Sequence, residues 1–213
     1  MRFAVVGAGA IGGYLGAKLA LAGEDVVFLA RNKNLAAIAA DGFRLILEDG
    51  TEQHAKTARA TGDAHEAGVQ DAVLLTVKAH QVRDVLPALT ALVGPETMLV
   101  TMINGIPWWY FQRLPGPWEG RTLESVDPGG VLANAIDAGN VIGSIVYPAA
   151  ELVAPGVVRV VEGNRFTLGE LDGERSERVD ALARALMAAG FKAPVTKDIR
   201  GELWLKLWGN LSF

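Results

Sequence analysis

Residues 5–13 read VVGAGAIGG, and the spacing of their glycines governs what the rest of the chain can be. Gly7, Gly9 and Gly12 form a GxGxxG that directly follows the apolar run Arg2–Val6 and opens a helical pattern over about residues 11–22. In such a strand–turn–helix, the first glycine permits the tight turn and the second lets the backbone approach a pyrophosphate. The third lets helix and strand pack closely, and the phosphate sits on the amide groups of the helix N-terminus. A glycine-rich turn alone is a weak signal. Its position in the first βαβ unit of the chain is what points to a dinucleotide.

Working outward, EDVVFLAR (24–31) is a second buried strand, NLAAIAADG (34–42) a short helix stopped by Gly42, and DAVLLTVK (71–78) another buried strand. A helix through HQVRDVLPALTALV (80–93) and a strand TMLVTMIN (97–104) follow. Strands that are almost wholly apolar and alternate with helices indicate a parallel sheet covered on both faces. FRLILED and EQHAKTARAT flank Gly50 as a hairpin, and NVIGSIVYP, GVVRVVEG and RFTLGEL read as three antiparallel β-runs. A helix over 174–189 and a surface loop over 112–130 complete the pattern. The fold class is α/β: a Rossmann-like, doubly wound, mainly parallel sheet with an added antiparallel β portion.

Composition narrows the function. Half of the 213 residues are hydrophobic, enough for a sizeable core, and a net charge of −4 argues against nucleic acid or anionic membrane partners. The chain has no cysteine, which excludes disulfides and thiolate chemistry and fits a cytoplasmic protein. Three scattered histidines without a ligand spacing give no metal site. Lys18 interrupts the apolar N-terminal run before it reaches the length of a membrane span, so the segment reads as part of a soluble fold.

The strand ends carry the candidate site. An NAD site wants an acidic residue after the second strand; here stands Arg31, followed by Asn32 and Lys33, and a planar guanidinium suits a 2′-phosphate. NADP(H) is therefore favoured, although a solvated strand-end arginine would look the same. Lys78 and Asn104 end the next two strands, where ligands of open α/β sheets lie. Asn104-Gly105 serves a turn as readily as a site. In ELWLKLWGNLSF (202–213), a helix would align Glu202, Lys206 and Asn210 in a polar line amid tryptophans and leucines. So apolar a helix should be nearly buried. On residues alone Lys206 reads as an i,i+4 partner of Glu202.

GAGAIGG, Arg31 after VVFLA, TVKAHQ (76–81), NGI (104–106) and WLKLWGN (204–210) occur in this order, and together they resemble the ketopantoate reductase family. The resemblance implies NADPH-dependent reduction of 2-dehydropantoate to pantoate. It implies cofactor contacts from Gly7, Gly9, Ala10, Ile11, Gly12, Arg31, Lys78 and Asn104. Lys206 would then be the proton donor to the substrate carbonyl, Asn104 would act beside it, and Asn210 would contact substrate. Desolvation on a mostly buried helix should lower the lysine pKa towards the working range. Two departures, the aromatic run Trp108–Trp109–Tyr110–Phe111 and Tyr147 where a histidine is frequent, leave another small 2-keto acid as an alternative substrate. A non-catalytic NADP-binding module is the other alternative. The family pattern continues past the lysine helix into a helical domain. The sequence is accordingly expected to comprise a cofactor domain over 1–196 and, over 197–213, the start of an inter-domain helix. The cofactor site would be complete and the substrate site incomplete, and the unfinished apolar end predicts self-association, with a homodimer as one form.

Overall fold

The computed structural model describes residues 1–212; Phe213 lies outside the described residues. The chain runs β1 (Arg2–Val6), α1 (Ala10–Leu21), β2 (Asp25–Leu29), α2 (Asn32–Asp41), β3 (Phe43–Ile46), β4 (Glu52–Ala55) and β5 (Arg59–Thr61). Next come α3 (Ala64–Ala67), β6 (Ala72–Leu75), α4 (Val82–Leu92), β7 (Met98–Thr101), α5 (Val131–Ala135) and β8 (Val141–Val146). The last elements are β9 (Ala149–Ala154), β10 (Val157–Glu162), β11 (Phe166–Glu170), α6 (Glu177–Ala188) and α7 (Ile199–Ser212).

Seven strands form one sheet in the order β11-β8-β7-β6-β1-β2-β5, parallel throughout except for β11, which runs antiparallel to β8. From β1 the chain first builds outward through β2 and β5, then returns to the other side of β1 through β6. That reversal is the crevice where open α/β sheets bind ligands. The strands alternate their side chains between two cores. Phe3 and Val5 join α1 and α6 in one, whereas Ala4 and Val6 join α4, α5 and the first turns of α7 in the other. This two-sided burial is why β1, β6, β7 and β8 read as nearly continuous apolar runs.

A second sheet, ordered β4-β3-β10-β9, lies against α1. Helix α1 is thus packed between two sheets, which explains why AIGGYLGAKLAL is apolar on nearly every side. The Gly50 hairpin forms as β3–β4, but EQHAKTARAT is not one strand: Arg59–Thr61 crosses to the main sheet as β5 beside β2. The later β-runs also divide differently. β8 continues the parallel sheet next to β7, β11 closes it antiparallel, and β10 pairs parallel with β3 and antiparallel with β9. Strand β9, absent from the sequence pattern, is AAELVA, with too many alanines to show an alternation.

Candidate functional site

The carboxyl ends of β1, β2, β6 and β7 open on a cleft of about 800 Å³. The turn after β1 shapes its floor. Gly7 takes φ 111°, a conformation that suits glycine, and the Gly9 amide donates to its carbonyl at 2.8 Å. Gly9 caps α1, and a Cβ at Gly9 would meet nothing within 4 Å, so the open space above it is available to a ligand. The first turn of α1 carries no acidic side chain, leaving its amide dipoles unopposed. Gly12 works differently. A Cβ there would lie 2.1 Å from the Gly7 carbonyl oxygen and 2.5 Å from Thr76 Oγ1, so Gly12 serves helix–strand contact and does not line the cleft.

Gly7, Gly9, Ala10, Ile11, Arg31, Lys78 and Asn104 all line this one cleft. Arg31 is exposed at the start of α2 and makes no ion pair among the described residues. Lys78 begins a short turn in which its own amide donates to Gln81 Oε1 at 3.1 Å, which fixes the backbone at the end of β6. Two supporting residues escaped the sequence reading. Thr76 Oγ1 donates to the Gly7 carbonyl at 2.7 Å, tying β6 to the glycine turn. Asn34 donates to the Ala8 carbonyl and accepts from the Gly156 amide at 2.7 Å, tying the same turn to the second sheet. The hydroxyl in the otherwise apolar LLTV was a usable signal for Thr76; for Asn34 there was none.

Helix α7 brings the lysine to the edge of this cleft, against Asn104 and Val146, which line it. At its start the partly buried Arg200 guanidinium donates to three backbone carbonyls: Tyr110 at 2.6 Å, Gln112 at 2.7 Å and Leu171 at 2.5 Å. One turn on, Trp204 Nε1 donates to the Tyr110 hydroxyl at 2.7 Å. The segment so clasped follows Asn104 directly. Trp108 and Trp109 are buried, and Trp109 Nε1 donates to Thr101 Oγ1 at 2.9 Å, so that part of the aromatic run belongs to the core.

Lys206 Nζ donates to Asn104 Oδ1 at 2.5 Å and to the Val146 carbonyl at the end of β8. Burial holds its pKa below the ordinary lysine value. The Glu202 pair read from the sequence does not form: Glu202 instead lies 3.7 Å from Arg165 and accepts from the Tyr147 hydroxyl at 3.4 Å. Asn210 joins Asn104 and Lys206 around a small cavity of about 20 Å³ that adjoins the cleft at Ile103, Asn104 and Val146. The helix is not nearly buried, however. Trp204, Leu205, Trp208 and Leu211 are 52%, 61%, 72% and 82% exposed, while Leu203 and Ile199 face the core. Among the described residues, no cluster of histidine and carboxylate side chains suits a metal ion, and no helix is long and apolar enough to cross a membrane.

Residues 3–108 match the family described as Ketopantoate reductase PanE/ApbA. Over its full length the chain is 55% identical to a 2-dehydropantoate 2-reductase of Mesorhizobium japonicum. The chain belongs to the ketopantoate reductase family. A crystal structure from Ralstonia solanacearum, assigned as a ketopantoate reductase, superposes with a TM-score of 0.92 at 44% identity over 98% of the chain. The 2-dehydropantoate 2-reductase of Geobacter metallireducens gives 0.84 at 28% identity over the whole chain. The chain spans 65% of the Mesorhizobium protein and 64% of each of these two structures. The family match ends at Trp108, so Asn104 lies inside it and Lys206 outside. The likeness to the three ketopantoate reductase relatives runs on through nearly all of the chain.

Proposed function

We propose that this chain is the cofactor-binding part, with the lysine helix, of an NADPH-dependent reductase that converts 2-dehydropantoate to pantoate. The observation that carries this reading is the lysine ammonium held against Asn104, which itself lines the same cleft as the glycine turn. The open space over Gly9 and the unopposed helix N-terminus suit a pyrophosphate, and the unpaired fork of Arg31 suits a 2′-phosphate. NADPH, when bound, supplies a hydride. The protein's own task is to bind and orient the keto acid and to stabilise the charge that grows on its carbonyl oxygen. Lys206 delivers a proton to that oxygen; its lowered pKa makes it a better acid near neutral pH than an exposed lysine. Asn104 aims the ammonium, and Asn210 contacts the substrate from one turn further along α7. The exposed apolar side chains of α7 support reading residues 197–213 as the beginning of an inter-domain helix.

The test is a fluorescence titration with NADPH, followed by a search for NADPH oxidation across a panel of 2-keto acids. Saturable NADPH binding with turnover greatest for ketopantoate supports the proposal. Turnover greatest for another keto acid reassigns the substrate, and binding without any turnover makes the chain a dinucleotide-binding module.

A further inference from the structure

Ser144 is the lone polar residue of β8, VIGSIV. Its hydroxyl is the only buried side-chain polar atom among the described residues without a hydrogen-bond partner. The residue is 4% exposed and lines the 20 Å³ cavity together with Asn104, Lys206 and Asn210. Burying a hydroxyl unpaired is costly, and folded proteins rarely keep one so. Other buried hydroxyls here do have partners: Thr97 donates to the Gln70 carbonyl at 2.7 Å, and Thr101 accepts from Trp109 at 2.9 Å.

The cavity has room for one oxygen-sized group. Ile103, Asn104 and Val146 border both this cavity and the large cleft, so the space beside the Ser144 hydroxyl adjoins the cleft. The Lys206 ammonium is held at the same boundary, on the Val146 carbonyl two residues along β8 from Ser144. We infer that Ser144 is a further catalytic residue, whose hydroxyl donates a hydrogen bond to the substrate oxygen that Lys206 protonates. It forms with Lys206 a preorganised pocket for the charge developing on that oxygen. The hydroxyl is left unpaired in the free protein because its partner is the substrate. Such donors act on the transition state more than on the ground state, so turnover depends on Ser144 more than binding does.

This inference rests on the keto-acid reductase reading, and the experiment separates the two. Ser144→Ala removes the hydroxyl and leaves no partner stranded. The variant should melt at or above the wild-type temperature and bind NADPH with unchanged affinity, yet lose about 10²-fold in kcat on the preferred 2-keto acid. Ser144→Thr, which keeps a hydroxyl, should recover part of that loss. A variant with wild-type kcat overturns the inference, as does one that melts lower, because the hydroxyl would then have a structural partner. A wild-type chain that binds NADPH but reduces no 2-keto acid overturns the functional reading itself and this inference with it. A wild type that turns over alongside an equally active Ser144→Ala overturns only the role of Ser144.

Discussion

Lys206 Nζ and Asn104 Oδ1 lie 2.5 Å apart although 102 residues separate them in the chain. One sits on α7 and the other just beyond β7, and each alone has an ordinary explanation, as half of a helical ion pair or as a turn asparagine. Their contact ties the lysine helix to the cleft at the strand ends.

The pH dependence of that lysine follows from its burial. Its pKa is held below 10.5 by desolvation, so between the lowered value and 10.5 the unfolded chain binds more protons than the folded one. Stability therefore rises with pH through that window, and Lys206→Met should remove this rise from thermal melts. In the proposed role of proton donor Lys206 must carry its proton, so the rate of reduction should fall as pH climbs through the lowered pKa. Lys206→Ala should reduce turnover by about 10²–10⁴-fold.

Gly9 and Gly12 should separate function from folding. Gly9→Ala adds a methyl group into open space at φ −84° and should cost about 1 kcal/mol or less in urea unfolding, yet weaken NADPH binding more than tenfold. Gly12→Ala would place a Cβ 2.1 Å from the Gly7 carbonyl oxygen. It should destabilise the fold by about 3 kcal/mol or more, since backbone must move.

Arg31→Asp should weaken NADPH binding about 10- to 100-fold, the worth of a charged hydrogen bond or two, and leave NADH little affected. Paired fluorescence titrations measure both. Equal affinities before and after the change would remove the 2′-phosphate from Arg31.

Away from the cleft, the 3%-exposed Glu170 accepts from Arg178 at 2.7 and 2.6 Å and from Ser176 Oγ at 2.5 Å, joining the end of β11 to the start of α6. Glu170→Ala strands Arg178 and should cost about 3 kcal/mol, the low end for a broken buried pair because the Arg178 side chain is 30% exposed. Urea unfolding measures it, with NADPH affinity unchanged.

The parallel sheet was legible because strands buried on both faces print as nearly continuous apolar runs, and the glycine turn because three distinct steric demands fall at fixed spacing. β5 and β9 were not: three residues or a run of alanines leave no periodicity. The Glu202–Lys206 pair was a sound local expectation, worth about 0.2–0.5 kcal/mol. Contacts from Arg165 and Tyr147 to Glu202, and from Asn104 and Val146 to Lys206, replaced it. Apolarity in α7 was read as burial, but it states only what the helix could cover. Ser144 could not be singled out at all, since a serine in an apolar strand carries no mark of whether its hydroxyl finds a partner.

The three carbonyls held by Arg200 come from two separate stretches, Tyr110 with Gln112 and Leu171 at the end of the sheet. A planar guanidinium reaching all three leaves α7 no hinge of its own at its first turn. The start of the lysine helix is thereby pinned at once to residues 110–112 and to the edge of the main sheet, so the place of Lys206 along α7 is set by the fold and not by the helix alone.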